Sequence, residues 1–306
     1  MDSSSLAGNM LWDLCWHSLI FFLVTALGYV VISGSLYSLF FLRTGSNIQP
    51  IDTKHLSTKH LSTKHPDNDR TLNKIWTTIR HDVVLSIWSS AIFAICASIM
   101  TTAYTLGYTQ LYLEPTKYGV GYIVFSLCLV IFLQDTYFYF THRLAHHPKC
   151  FHWLHKGHHH SKNPTPLTAF SFDPGEAFLQ ALYVMAAVCL IPMHISVLCA
   201  VVLVMSLGAL IHHFSLRMFA DSALGRWLGS WMVGPMHHWF HHRKYTMHYG
   251  LYFTFWDKLL GTHKDGYELV LEPTNETSLS IADQFSGEES TSKLIPFQLP
   301  SQKKAS

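Results

Sequence analysis

Charged side chains are scarce in this sequence. Lysine, arginine, aspartate and glutamate make up 13% of its 306 residues, whereas about a quarter is usual in soluble domains. Hydrophobic residues make up 49%, and they are gathered in long runs rather than spread along the chain. This composition argues against a soluble globular enzyme and favours a protein embedded in a membrane.

The sequence also lacks the cysteine patterns of disulfide-rich and thiolate-metal proteins. Its six cysteines form no Cys-x-x-Cys pair, and most of them lie inside apolar runs. We therefore predict that they are small hydrophobic residues. The absence of a His-Glu-x-x-His motif argues against the common zinc protease type. The formal net charge of +2 gives no indication of nucleic-acid binding.

Four apolar segments are long enough to cross a bilayer, which takes about 20 residues of helix. The first contains one acid, Asp13, the second contains no charged residue, and the fourth is long enough for a helical hairpin that breaks at Pro192. The segments are 11–42, 83–108, 120–140 and 178–211. The sequence therefore predicts an all-α polytopic membrane protein with about four transmembrane helices.

Basic residues predict the orientation of these helices. The segment between the first two spans carries seven lysines and arginines, whereas 107–119 contains only Lys117. Because such residues concentrate in cytoplasmic loops, this segment and the later histidine groups are predicted to be cytosolic. The predicted parts are 1–42, the N-terminal stub and first span; 43–82, a cytosolic low-complexity loop; 83–119, the second span and a lumenal loop; 120–264, a catalytic domain; and 265–306, a polar, disordered tail that is also cytosolic.

Two of these polar segments have recognisable patterns. Residues 53–65 repeat the sequence Thr-Lys-His-Leu-Ser, and a histidine recurs every five residues, so these histidines share no helical face. They are predicted to lie in a solvated loop. The tail ends in Lys303-Lys304-Ala305-Ser306, which resembles the dilysine retrieval signal of endoplasmic-reticulum membrane proteins; a chance basic end is the alternative. We expect the protein to be in that membrane.

Histidine is unusually frequent in this sequence, with 22 copies, most of which follow the third span. Neutral imidazole is the commonest protein metal ligand, and residues three and four apart on a helix share a face. Each histidine group is therefore predicted to turn two or three nitrogens to one side. Eight or more imidazoles exceed what one tetrahedral zinc uses, so two metals are predicted. The groups are His142, His146 and His147; His155, His158, His159 and His160; and His237, His238, His241 and His242.

The spacings of these groups resemble those of the fatty acid hydroxylase and sterol desaturase superfamily of membrane di-iron enzymes. The matching spacings are His142-x3-His146, His155-x2-His158-His159 and His238-x2-His241-His242. The resemblance covers 120–264 and includes Asp135, Thr165-Pro166 and Trp256-Asp257-Lys258-x2-Gly261-Thr262. Residues 164–180 resemble the C-5 sterol desaturase branch in particular. Two short stretches depart from that branch, Ala181-Leu182-Tyr183 instead of Pro-Tyr-His and His248-Tyr249-Gly250 instead of an Asn-Tyr-Gly-like turn.

The resemblance implies a set of metal ligands and of residues that orient them. His212 and His213 are adjacent, and neighbours on a helix diverge by about 100°, so only one should face the metals; the resemblance supports either. Asp135 is expected either to accept a hydrogen bond from the N–H of a ligand ring or to be a polar residue at a helix end. The implied ligands are His142, His146, His155, His158, His159, His212, His213, His238, His241 and His242. The orienting candidates are Asp135, His147, His237, His248 and Asp257.

The function implied by the resemblance is oxidation of a lipid by hydroxylation or desaturation, and a sterol is the expected substrate. It implies two Fe2+ ions, O2 as co-substrate, and electrons from NAD(P)H delivered by cytochrome b5 or an equivalent carrier. A sphingoid-base or fatty-acyl hydroxylase is the alternative within the same chemistry. A membrane zinc hydrolase is the alternative from another class, and its activity would not depend on O2. A metal transporter is disfavoured because the histidines lie at the ends of the apolar segments and not within them.

Overall fold

Helices account for nearly all of the regular structure in the part of the chain that can be described. The computed structural model describes residues 3–43, 66–214 and 223–264. The tandem repeat at 53–65 and the tail after Lys264 lie outside these ranges. In chain order the helices are α1 (Ser3–Tyr37), α2 (Pro66–Thr105), α3 (Gly119–Ala145), α4 (Pro148–Leu154), α5 (Pro174–Leu190), α6 (Ile195–His212), α7 (Ala223–Trp231), α8 (Pro235–Lys244) and α9 (Phe255–Leu259).

Four helices are long and apolar enough to cross a membrane, which confirms the predicted all-α, multi-span fold. Their candidate spans are Gly8–Phe40, Asn73–Thr105, Gly119–Ala145 and Ile195–His212. The fifth apolar helix, α5, is shorter. Large apolar side chains such as Leu23, Val120 and Leu203 remain exposed on the outer faces of the spans, as a lipid-facing surface requires.

Helix α2 begins earlier than the sequence predicted. Residues from Pro66 onward are helical, although 43–82 was expected to be a loop throughout. Proline is favoured at the first position of a helix, where its missing N–H would have no partner within the helix in any case. The apolar run at 83–108 therefore marks only the part of this helix that suits a bilayer.

The apolar run at 178–211 is divided at Pro192, as predicted. Helix α5 ends at Leu190 and α6 starts at Ile195, with Met193 and His194 forming a short strand between them. That strand pairs in parallel with Leu111–Tyr112, so that Leu111 lies opposite Met193. This pair ties the α2–α3 connection to the α5–α6 connection.

The core of the bundle lies between α3, α5 and α6. Its best-buried members include Val130 from α3, Val188 from α5 and Val201 from α6. Tyr183 joins the helices by donating its hydroxyl proton to the carbonyl of Val130. All six cysteines are free, and one of them, Cys96, is buried.

Truncating the core should loosen this packing. We expect Val188→Ala to lower the free energy of unfolding by about 1–3 kcal/mol, because a fully buried side chain loses its dispersion contacts. Leu190→Ala is the matched control on the same helix, since Leu190 is 77% exposed. Thermal unfolding in detergent measures both. Equal effects of the two substitutions would contradict this description of the core.

Candidate metal centre

The three histidine groups meet at one end of the helical bundle. His142 is in the last turn of α3, and His146 directly follows that helix. His155 ends α4, and a short 3-10 turn, His158–His160, follows it. His213 caps the C-terminus of α6, and helix α8 carries the last group. Because α3 and α6 both end there, the chain brings distant histidines together beside the ends of two candidate spans.

Nine imidazoles form two adjoining groups. In each group, one nitrogen from every ring lies within 4.8 Å of one nitrogen from every other ring. The ring centroids of His155 and His158, which belong to different groups, are 5.0 Å apart. The five-histidine group is His142, His146, His155, His159 and His241, and the four-histidine group is His158, His213, His238 and His242.

Within both groups the Nε2 atoms face each other closely. His142 and His155 are 2.9 Å apart at Nε2, and Nε2 of His241 is 3.1 Å from Nε2 of both His146 and His159. In the four-histidine group, Nε2 of His238 is 3.0 Å from Nε2 of His213 and of His242. The separation between Nε2 of His158 and Nε2 of His213 is 3.4 Å.

The Nδ1 atoms of six of these rings point away from the groups, toward acceptors. A neutral imidazole that donates from Nδ1 keeps a lone pair on Nε2, which is the form that binds a metal. Nδ1 of His155 lies 2.7 Å from the Glu176 carboxylate. The backbone acceptors are Tyr249 for His142, Ser171 for His158, Ala209 for His213, Met247 for His241 and Ser161 for His242, at 2.7–3.0 Å.

This arrangement fits metal ions at both groups. The rings of His158 and His213 both donate from Nδ1 to backbone carbonyls, so two lone pairs face each other at 3.4 Å without a proton between them. Two such atoms repel each other unless a cation lies between them. Nitrogens about 2.1 Å from a shared ion would stand about 3.0–3.4 Å apart at ligand angles of 90–109°. The observed separations of 3.0–3.4 Å fall within that range, and the shortest, 2.9 Å between His142 and His155, lies just below it.

Two of the sequence groups are divided between the five-histidine group and the four-histidine group rather than assigned to one each. His155 and His159 join the five-histidine group and His158 joins the other, because α4 ends at Leu154 and the following 3-10 turn changes the direction of the rings. On α8, His241 and His242 differ by about 100° around the axis and also separate. Each of these two sequence groups still turns two nitrogens to one site, as predicted, while a third nitrogen faces the other site.

The two adjacent histidines at the end of α6 have different positions. His213 joins the four-histidine group. His212 is buried outside both groups, and its Nε2 is 3.1 Å from the carbonyl oxygen of Val233. The sequence left the choice open, and the structure brings only His213 to the candidate metal.

Two of the candidates for orienting the ligands, Asp135 and His147, accept hydrogen bonds from backbone amides. Asp135 accepts hydrogen bonds from the amides of Tyr252 and Phe253, and no hydrogen bond to a metal-group ring is found for it in the described ranges. His147 is exposed and caps α4 by accepting from the amide of Lys149. The hydrogen bond described for its ring is thus made to the backbone of α4 and not to a ring of the histidine groups.

Asp257 binds the loop whose carbonyl group accepts a hydrogen bond from His142. Its carboxylate accepts from the amides of Tyr249 and Gly250 and from the hydroxyl of Thr262. The carbonyl of Tyr249 in turn accepts from Nδ1 of His142. Asp257 thus contacts a ring of the five-histidine group indirectly, through the backbone of Tyr249. Its role in orienting a metal ligand stays a prediction.

Glu176 was missed in the sequence. It is a buried acid in the first turn of α5 and bonds to His155 directly. A single acid at the edge of a long uncharged run was the available signal, since a carboxylate at that depth needs a partner.

A third histidine group lies beside α8. It contains His237, His248 and His263, with one nitrogen of each within 4.8 Å of the others. Nδ1 of His237 accepts a hydrogen bond from the amide of Gly234, so the neutral ring carries its proton on Nε2. This is the opposite tautomer from the six oriented ligands. The third group therefore does not present three lone pairs to one point as the other two do.

Burial keeps the ligand rings neutral. Loss of hydration lowers the pKa of His146 to about 2, and neighbouring imidazoles lower it further. The same causes, burial first, bring the pKa values of further ligands well below the usual value of 6.5. These ligands are His155, His159, His213, His238, His241 and His242.

Acid should therefore destabilise the centre. Above pH 6.5 the rings are neutral in both the folded and the unfolded chain. Below it, the unfolded chain takes up protons that the folded rings resist, so the free energy of unfolding falls by up to about 1.4 kcal/mol per pH unit for each ring. We expect bound metal and the unfolding temperature to fall together between pH 6.5 and 5. Values unchanged down to pH 5 would contradict neutral ligation.

The two histidines at the end of α6 provide a matched pair of variants. We expect His213→Ala to lose one metal, because it removes a nitrogen from the four-histidine group. His212→Ala should keep both, because His212 contacts only the carbonyl of Val233 among the hydrogen bonds described for its ring. Metal content of the purified proteins measures this. The reverse pattern would show that the rings exchange roles.

Comparison with known proteins agrees with this centre. Residues 127–262 match the fatty acid hydroxylase family. A Delta(7)-sterol 5(6)-desaturase of Gibberella zeae is 28% identical over 200 residues, which are 64% of this chain and 60% of that protein. The lathosterol oxidase of Homo sapiens is 33% identical over 175 residues, 55% of this chain and 56% of that protein.

A Delta(7)-sterol 5(6)-desaturase of Aspergillus fumigatus is 31% identical over 185 residues, 56% of this chain and 58% of that protein. The chain thus spans somewhat more than half the length of these relatives. No solved structure matches it. All nine histidines of the two groups fall within residues 127–262, the part of the chain that matches the fatty acid hydroxylase family.

Proposed function

We propose that this protein is a membrane oxidoreductase that holds two irons and uses O2 to hydroxylate or desaturate a lipid. The observation that carries the proposal is the inward arrangement of nine imidazoles beside the ends of α3 and α6. When bound, two irons supply the activation of O2 and the removal of hydrogen from an unactivated C–H bond. The site lies where a lipid could approach it from the bilayer.

A sterol is the substrate class that we favour. The relatives reported above are named as Delta(7)-sterol 5(6)-desaturases and lathosterol oxidase. The chain's resemblance to the C-5 branch at 164–180 supports the same class. Its departures at 181–183 and at His248 bear on the choice of substrate, and a sphingoid-base or fatty-acyl hydroxylase is the second candidate.

The chain's own residues prepare the site in two ways. Carbonyls such as that of Tyr249 and the carboxylate of Glu176 fix the tautomers of the ligands. The rings of His241 and His242 are fully buried, which keeps bulk water from their nitrogens. Both effects favour an ion held by neutral nitrogen ligands in a dry site.

A membrane zinc hydrolase is the candidate from another class. Catalytic zinc generally takes three protein ligands and keeps one position for water. Groups of five and four imidazoles exceed that number. The larger coordination numbers of iron accommodate them better, and this difference in ligand count favours the oxidoreductase.

The proposed setting is the endoplasmic-reticulum membrane, with the histidine groups and the C-terminus in the cytosol. The lysines and arginines between the first two spans support this orientation. Electrons would then come from NAD(P)H on the cytosolic side, by way of cytochrome b5 or an equivalent carrier.

Purified protein reconstituted with a reductase, an electron carrier and a Delta(7)-sterol tests the proposal. We expect oxidation of the sterol that requires both iron and O2, and a fall of at least about 100-fold in His158→Ala and His241→Ala, which each remove a ligand. His152→Ala is the control, because His152 is exposed and outside all three histidine groups.

The substrate is tested by replacing the sterol with a sphingoid base or a fatty acyl lipid. Oxidation of one of these, but not of the sterol, would select the second candidate. Turnover that is supported by zinc and is independent of O2 would contradict the oxidoreductase.

A further inference from the structure

Asp82 is a buried carboxylate that lies outside the segment matching the fatty acid hydroxylase family. It is on α2 near the metal end of the bundle, and only 2% of its surface is exposed. A carboxylate so well buried is costly unless hydrogen bonds compensate for lost hydration. The identity of its partners therefore indicates what the residue is for.

Three hydroxyl groups from one connecting segment donate to Asp82. The Ser161 hydroxyl is 2.7 Å from both carboxylate oxygens, and the Thr168 hydroxyl is 2.7 Å from Oδ2. The Ser171 hydroxyl is 3.4 Å from Oδ1. All three belong to the connection between the second histidine group and α5.

Two of these partners also orient metal ligands. The carbonyl of Ser161 accepts from Nδ1 of His242 at 3.0 Å, and the carbonyl of Ser171 accepts from Nδ1 of His158 at 2.9 Å. Both rings belong to the four-histidine group. Asp82 therefore holds, through their hydroxyls, the two residues whose carbonyls fix the tautomers of half of that group.

The two N-terminal helices reinforce the same segment. Tyr29 of α1 donates its hydroxyl proton to the carbonyl of Leu167, and Ser89 of α2 donates to the carbonyl of Phe172. These contacts attach the segment to helices that precede residues 127–262. The acceptors of the four-histidine group are thus anchored from outside the domain that carries the ligands.

Asp257 has the corresponding arrangement at the other group. It holds Tyr249 by the amide, and the carbonyl of Tyr249 accepts from His142 of the five-histidine group. In the described ranges, Asp82 has no such contact with the acceptors of the five-histidine group, and Asp257 has none with those of the four-histidine group.

We propose that Asp82 is a positioning residue for the metal of the four-histidine group, as Asp257 is for the metal of the five-histidine group. The inference rests on the proposed function, because it requires that both groups bind metal. The expected effect of losing Asp82 is limited to one of the two metals. Loss of the Asp82 carboxylate should weaken one metal and leave the other as tightly bound as before.

Metal content of the full-length chain, purified in detergent and loaded with Fe2+ without O2, tests this selectivity. We expect two metals in the native protein, one in Asp82→Leu, and two in Asp82→Asn with one bound about 10–100-fold more weakly. The leucine has no acceptor for the hydroxyls, whereas the asparagine keeps one. Thr168→Val is a milder variant that leaves the carboxylate in place and should weaken the same metal by less.

Double substitutions identify which metal is lost. Adding His242→Ala to Asp82→Leu should not lower the metal content further, whereas adding His142→Ala should remove the remaining metal. Asp257→Leu is the matched counterpart and should show the opposite dependence. A general defect in folding would weaken the binding of both metals alike. Weakened binding of one metal alone therefore distinguishes a positioning role from a merely structural one.

Each result decides the matter. If Asp82→Leu keeps both metals with native affinity, or if it and the two milder variants weaken both equally, the inference is overturned. If the native chain binds no metal, the proposed function fails and not only the role of Asp82. Folding of each variant is checked by size-exclusion chromatography and circular dichroism.

Discussion

The centre depends on a hydrogen bond made on the far side of the imidazole ring from the metal. A histidine that donates from Nδ1 must keep its Nε2 lone pair, and six of the nine rings are fixed in this way. Five of the acceptors are backbone carbonyls. The loops around the site therefore determine the ligands as much as the histidines themselves do.

Those loops are held by buried carboxylates. Asp82, Asp135 and Asp257 each accept two or more hydrogen bonds from connecting segments and not from a ligand ring. Glu176 is the exception, since it contacts His155 itself. Positive φ angles at Tyr245 and His248 also shape these loops. They turn the chain after α8 so that the carbonyls of residues on either side of His248 reach His241 and His142.

Much of the fold could be predicted because its signals are long and local. The four spans follow from long apolar runs, and the break at Pro192 follows from the ring of proline. The start of α2 at Pro66 was missed because its first turns are polar and carry no apolar run. The predicted orientation and location of the protein stay predictions.

The candidate ligands were predictable as a set, because histidine spacing is visible in the sequence. Their division between two metals was not, since it depends on where α4 ends and on the 100° between His241 and His242. The choice of His213 over His212 and the parts played by Asp82 and Glu176 depend on contacts between distant segments. No periodicity in the sequence records such contacts.

X-ray absorption at the iron edge of the purified protein tests the central claim most directly. The account predicts a first shell of imidazole nitrogens alone from the protein, at about 2.1 Å, with the outer-shell scattering of histidine rings and no sulfur. It also predicts that this signal arises from two irons per chain. A shell containing thiolate sulfur or dominated by carboxylate oxygen would contradict it, and so would an absence of bound iron.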